Sequence, residues 1–149
     1  IPTIISKLIE GKKIPIYGNG MQRREWIYVG DFCKIIAKFL TKGLVGQIYN
    51  IGSGKKINNY QLTQYIFNIL KKNNDISEFK KCIKHVKDRP AHDKNYSLNM
   101  KKIIKVLGIK KKKNFKENLL STVKWYIENK DWVEFTKKRY TGKRQGIIK

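Results

Sequence analysis

The side chains best suited to chemistry stand in three short stretches. Asp88-Arg89-Pro90-Ala91-His92-Asp93 holds an arginine, a histidine and two carboxylates around a rigid proline. Pro90 fixes its own φ and biases Arg89 toward an extended conformation. A stiff turn of this kind holds Arg89 and His92 outward, as a site for a fixed anion requires. Arg24 lies just before an apolar stretch, and a guanidinium fork is the group that grips a diphosphate. Asn59 opens a helix, where a side-chain amide and the helix dipole together favour a phosphate oxygen. Tyr17, two residues after Pro15, offers a flat face for a nucleobase. Taken singly, Arg24 reads as a surface ion-pair partner and Tyr17 as a half-buried ring. Only the set points to anion binding.

Other chemistries lack their residues. Tyr17-Gly18-Asn19-Gly20 does not lead into a helix, so it is not a dinucleotide-binding loop. There is no Gly-x-x-x-x-Gly-Lys-Ser/Thr stretch and no serine in a nucleophile elbow. His85 and His92 have no metal-ligand spacing, and His85 reads as a structural or surface residue. Tyr126 and Lys130 have the Tyr-x-x-x-Lys spacing of hydride chemistry on sugars. They fall at the end of the last helix with no nucleotide-binding unit before them, so the spacing reads as chance.

The elements that must position these groups can be read from periodicity. The pattern predicts an α/β chain, mainly helical with a few short strands. Helices are expected over 2–10, from Asp31 to about Gly43, after Asn58, from Asn99 to Gly108, and after Asn114. Asn58 with Gln61 and Asn114 with Glu117 have capping-box spacing. Asp31 is expected to cap the second helix. Strands are expected over 15–17, 25–29, 45–51 and 82–86. Trp132 and Phe135 are expected to fold back on the last helix, and the basic stretch from Lys137 onward to fray. Residues 1–132 read as one domain and 133–149 as a basic tail. The strands are too few for a self-contained sheet, so some are expected to complete a sheet contributed by sequence outside this chain. The chain opens without an initiating Met, as part of a longer protein would.

The 149 residues carry a formal charge of +23, from 34 Lys and Arg against 11 Asp and Glu. Such a charge suits nucleic acid or an anionic membrane. Lysine outweighs arginine, however, and the lysines lie on every helix and most loops rather than one face. Lys110 to Lys113 reads as a solvated linker. A basic nucleic-acid-binding module is therefore the weaker alternative, and no membrane span is expected. Cys33 and Cys82 read as free, reduced thiols of a cytoplasmic protein.

Pro15-Ile16-Tyr17-Gly18-Asn19-Gly20, Arg24-Glu25-Trp26-Ile27-Tyr28-Val29-Gly30-Asp31 and Gly46-Gln47-Ile48-Tyr49-Asn50-Ile51-Gly52 together resemble the C-terminal half of extended short-chain dehydrogenase/reductases acting on nucleotide sugars. The Asp88 to Asp93 loop resembles the narrower signature of dTDP-glucose 4,6-dehydratases. Thr122 to Tyr126 is similar to the closing helix of that family. The resemblance implies that Pro15, Ile16 and Tyr17 line the base pocket and that Arg24 holds the diphosphate. Asn59 contacts the nucleotide, and Asp88, Arg89, Pro90, Ala91 and His92 close over it. It also implies NAD⁺ on an N-terminal Rossmann domain outside this chain. That domain would carry the catalytic Tyr-x-x-x-Lys pair, so this portion holds substrate and is inert alone. The family reaction removes hydride from C4 of glucose, expels water across C5 and C6, and returns the hydride to C6. A homodimer is implied as well. Ala91 stands where Gly is usual, Lys94 and Asn95 where arginines are, Glu25 for Asp, and Ile109 and Lys111 for Trp and Pro. Epimerases and decarboxylases of the superfamily share the general motifs and are the nearer alternative.

Overall fold

Three helices share one apolar seam. In the computed structural model, which describes residues 1–72, 76, 78–109 and 114–139, these are α1 (Pro2–Ile9), α3 (Asn59–Lys71) and α6 (Phe115–Glu128). Ile5 and Leu8 of α1, Leu62, Ile66 and Leu70 of α3, and Leu119 and Val123 of α6 are buried together. Their i, i+3, i+4 spacing puts them on one face of each helix. A smaller cluster joins α2 (Val29–Lys42) to α5 (Lys101–Leu107) through Ile35, Met100, Ile103 and Leu107.

Two strand pairs hang on this frame. β1 (Ile14–Tyr17) pairs in parallel with β4 (Ile83–Val86), Tyr17 opposite Val86. β2 (Arg23–Glu25) pairs antiparallel with β3 (Lys56–Asn58), Arg24 opposite Ile57. Ile14 and Ile16 alternate inward into the core while Pro15 stays exposed. A four-residue helix, α4 (Phe79–Cys82), runs directly into β4, and α7 (Lys130–Arg139) follows α6.

Several elements differ from the sequence-based expectation. The strand expected over 45–51 does not form. Val45 is fully exposed and Ile48 nearly so, while Tyr49 and Ile51 pack against the α2–α5 cluster. The segment is held by Lys102, whose Nζ donates to Gln47 Oε1 (2.8 Å) and to the Ile48 carbonyl (3.0 Å). β3 was not expected. β2 sits two residues earlier than expected, because Val29 already belongs to α2. Asp31 therefore lies inside the first turn of α2, and its carboxylate accepts from Asn118 Nδ2 of α6 (3.0 Å). Asn58 caps α3 as expected, its Oδ1 accepting from Gln61 N at 2.7 Å. Asn114 precedes α6 but makes no side-chain cap bond. Asn99 accepts from Lys101 N (3.0 Å), one residue before the N-cap of α5. Gly108 ends α5 in the left-handed region, φ +59°.

Trp132 packs edge-on against Trp125, 5.0 Å between ring centres, with Phe135 half-exposed further along α7. That helix crosses the point at which a separate tail was expected to begin. The linker Lys110 to Lys113 lies outside the described residues.

Candidate substrate-binding site

Strand β1 delivers Tyr17 to the edge of the fold, and β4 delivers the Asp88 loop beside it. Gly18 N donates to the Val86 carbonyl at 2.9 Å, so the two chains leave the parallel pair still in register. The turn after Tyr17 is tight. Gly18 and Gly20 have φ of +55° and +74°, and a Cβ on Gly20 would collide with Ile16 at 2.7 Å. His85 Nδ1 lies 2.7 Å from the Gly18 carbonyl and braces the same turn.

Inside the loop the side chains form a linked array. Asp88 Oδ1 is 2.6 Å from His92 Nδ1 and 2.8 Å from the Arg89 backbone N. Asp88 Oδ2 accepts from Gln22 Nε2 at 2.6 Å. Arg89 Nη2 is 2.9 Å from His92 Nε2. A guanidinium only donates, so Nε2 is the acceptor and the ring proton sits on Nδ1, where an ionised carboxylate takes it. Asp88 and Arg89, with Gln22 behind Asp88, thus favour one tautomer of the imidazole. The His92 side chain is only 6 % exposed, which protects that choice from solvent. The hydrogen bond from His92, helped by those from Arg89 N and Gln22, holds the Asp88 carboxyl below its usual range. The Arg89 guanidinium lies 5.4 Å from the Tyr17 ring centre, and His92 meets the same ring edge-on at 6.3 Å.

The array therefore joins Tyr17, Asp88, Arg89 and His92. Pro90 and Ala91 form the exposed bend between Arg89 and His92, with Ala91 at φ +50°. The Ile16 side chain is buried in the core. Pro15 is exposed on the same strand. Asn59 begins α3, its N–H donating to the Gln22 carbonyl at 3.2 Å. Arg24 is not in the array; its Nη1 donates to the Arg23 carbonyl at 2.8 Å. The connection to it runs through backbone. Arg23 N donates to the Lys94 carbonyl (2.9 Å) and Tyr96 N to the Arg23 carbonyl (3.1 Å), so the exit of the Asp88 loop docks on the strand that carries Arg24.

Sequence reasoning missed Gln22, which is 6 % exposed and sits between β2, α3 and Asp88. A lone glutamine in a loop has no periodic signal. Its Oε1 is buried with no hydrogen-bond partner among the described residues. Turning the amide over would aim that oxygen at a carboxylate, so the bond to Asp88 sets its orientation.

A cavity of about 1050 Å³ lies elsewhere, between α2, α6 and the turn at Gly52 to Lys55, with Trp26, Tyr28 and Asn118 on its wall. None of the ten expected site residues lines it. Among the described residues no group of histidine, cysteine and carboxylate side chains has the makings of a metal site. No helix among them is long and apolar enough to cross a membrane.

The mainly helical α/β frame with a few short strands is that of the C-terminal portion of an extended short-chain dehydrogenase/reductase. The chain belongs to the GDP-mannose 4,6 dehydratase family, whose family model matches residues 1–122. It is 36% identical over 154 aligned residues to dTDP-glucose 4,6-dehydratase of Escherichia coli, an alignment that takes in 99% of this chain and 42% of that protein. The crystal structure of DesIV, the dTDP-glucose 4,6-dehydratase of Streptomyces venezuelae with NAD and TYD bound, superimposes with a TM-score of 0.79. The identity is 36%, with coverage of 89% of this chain and 39% of that one. The UDP-N-acetylglucosamine 4-epimerase of Methanobrevibacter ruminantium in complex with UDP-N-acetylmuramic acid is similar at a TM-score of 0.73 and 27% identity, covering 85% of this chain and 38% of that one. The chain thus spans about 40% of the length of the relatives it matches.

Proposed function

We propose that this chain is the C-terminal, substrate-binding part of an NAD-dependent dTDP-glucose 4,6-dehydratase, a hydro-lyase that yields dTDP-4-keto-6-deoxyglucose and water. The observation that carries the reading is the Asp88–His92–Arg89 array set against Tyr17. It presents a fixed guanidinium beside an aromatic face, which suits a diphosphate next to a base. The 36% identity to named dTDP-glucose 4,6-dehydratases supports it.

In this reading Tyr17 stacks on the thymine, with Pro15 and the backbone of Ile16 beside it. Arg24 and Arg89 hold the diphosphate, Asn59 reaches the nucleotide from the start of α3, and Asp88 to His92 close over both. NAD supplies hydride acceptance and return, and the residues of this chain do not fit it. The one glycine turn that follows a strand, after β1, leads into β2 rather than into a helix start, so the anion-binding cradle of a dinucleotide site is missing among the described residues. The cofactor and the proton-transferring residues then belong to an N-terminal domain, and this portion is inactive alone. The whole enzyme would be a cytoplasmic homodimer.

The test is product analysis with the full-length protein. Formation of dTDP-4-keto-6-deoxyglucose from dTDP-glucose supports the reading. Conversion of a UDP-sugar to its epimer or decarboxylated product, with dTDP-glucose untouched, overturns it. That second outcome is the one the likeness to the UDP-N-acetylglucosamine 4-epimerase favours.

A further inference from the structure

Arg89 is held in place by a chain of contacts that begins at a residue far from the loop in sequence. Gln22 is anchored in the interior, its carbonyl taking the N–H of Asn59 at the start of α3 and its amide reaching Asp88 Oδ2. Asp88 has Oδ2 on Gln22 and Oδ1 on both His92 and the Arg89 backbone N. With Oδ2 engaged, Oδ1 is left to accept the Nδ1 proton of His92, and Nε2 is left bare toward Arg89. Without Gln22 only the Arg89 N–H would hold the carboxylate toward Nδ1, and the selection of the tautomer would weaken. The Nε2–H form places a donor against the guanidinium, two donors that repel.

We infer that Gln22 is a positioning residue that acts through Asp88 and His92 to fix the direction of the Arg89 guanidinium against Tyr17. This rests on the substrate reading above for what Arg89 holds, a nucleoside diphosphate sugar, but not for the array itself. Gln22 is 6 % exposed and its amide is spent on Asp88, so it acts through that contact. Its effect is to order Arg89 before substrate arrives, which lowers the entropy lost on binding.

The test uses the full-length protein carrying Gln22→Leu, Gln22→Glu or Arg89→Ala, each first checked for an unchanged melting profile. The ¹⁵N-imidazole spectrum of His92 should show the Nδ1–H tautomer in the parent protein and a mixture of tautomers in Gln22→Leu. KM for the nucleotide sugar should rise about tenfold, the scale of one hydrogen bond to a charged group, with kcat changed much less. Gln22→Glu, which sets a carboxylate against Asp88, should do the same or more. If either variant unfolds, Asp88→Asn in the parent background reads the same tautomer from the other end of the contact. The inference is overturned if His92 keeps its Nδ1–H form and KM stays put in a folded Gln22→Leu protein. It is equally overturned if the parent shows the Nε2–H form. Should Arg89→Ala leave affinity for the sugar nucleotide unchanged while Gln22→Leu still scrambles the tautomer, the positioning chain stands and the assignment of Arg89 to the diphosphate falls.

Discussion

Gly18 and Asp88 lie so close that a Cβ added to Gly18 would sit 3.1 Å from Oδ2 of Asp88. The turn after β1 and the loop after β4 are thus in close contact, and a side chain at position 18 would make the Asp88 carboxylate give way. Gly18 also holds a φ of +55°, where an L side chain costs about 1–2 kcal/mol. Gly18→Ala should therefore lower stability by about that amount, and push Asp88 off Gln22 as well. Denaturant melts measure the first effect. The second appears as weaker binding of a thymidine diphosphate by calorimetry on the full-length protein, and unchanged binding in a destabilised but folded variant would separate the two loops functionally.

Ala91 has the opposite problem. It sits at φ +50°, a conformation glycine adopts without strain. Ala91→Gly should relieve the strain and stabilise the protein by about 0.5–1 kcal/mol, the net of removing a left-handed penalty and adding chain entropy. Ala91→Val should lose more than Gly gains, because a β-branched residue is a true outlier there. Paired denaturation curves for the two variants read the sign directly. A loss of stability in Ala91→Gly would mean that the Ala91 methyl contributes packing that outweighs the strain.

Much of this was legible in the sequence, and the gaps have physical causes. The helices α1, α2, α3 and α6 announce themselves by apolar spacing, and Asn58 by its side chain and the start of α3. Residues 45–51 have the composition of a strand, but composition marks a face and not a partner. No ladder forms, and Lys102 holds the segment instead. β3, Lys56–Asn58, offers three residues of which two are polar, too little pattern to see. In the site, Pro90 makes the bend between Arg89 and His92 readable. The part of Gln22 is not, since its contact with Asp88 spans 66 residues of chain.

Acid should open the array. Asp88 is held below its usual value near 3.8, chiefly by the hydrogen bond from His92. A carboxyl with a depressed folded pKa contributes stability that is complete above its unfolded value and lost as pH falls through the folded one. The stabilisation that the Asp88 carboxylate gives the loop should therefore be complete above about 4 and be lost as pH falls below it. Amide exchange of residues 88–92 against pH would show protection falling in that window. Asp88→Asn should make the profile flat there, with protection already low at neutral pH. A fall that persists in Asp88→Asn would assign the transition to another carboxyl.

The two arginines should respond differently to lysine. Arg24 donates one bond to its own backbone and sits on a strand tied to Lys94–Tyr96, so its remaining N–H groups are set by β2. Arg89 already gives Nη2 to His92 while lying over Tyr17, and its other donors must meet the ligand from that fixed plane. Replacing either by alanine should weaken nucleotide-sugar binding by about one to two orders of magnitude, the equivalent of about 1.5–3 kcal/mol for a charge-assisted contact. A lysine keeps the charge but has no planar fork. At position 24 it should recover part of the affinity, because a point charge on an ordered strand still meets a phosphate. At position 89 it cannot bond His92 and a phosphate oxygen in the same fixed geometry, so Arg89→Lys should behave nearly as Arg89→Ala. Titration of the four variants with thymidine diphosphate decides the matter. Full recovery by lysine at 89 would show that charge alone is needed there, and that the hold of His92 on the guanidinium has no part in binding.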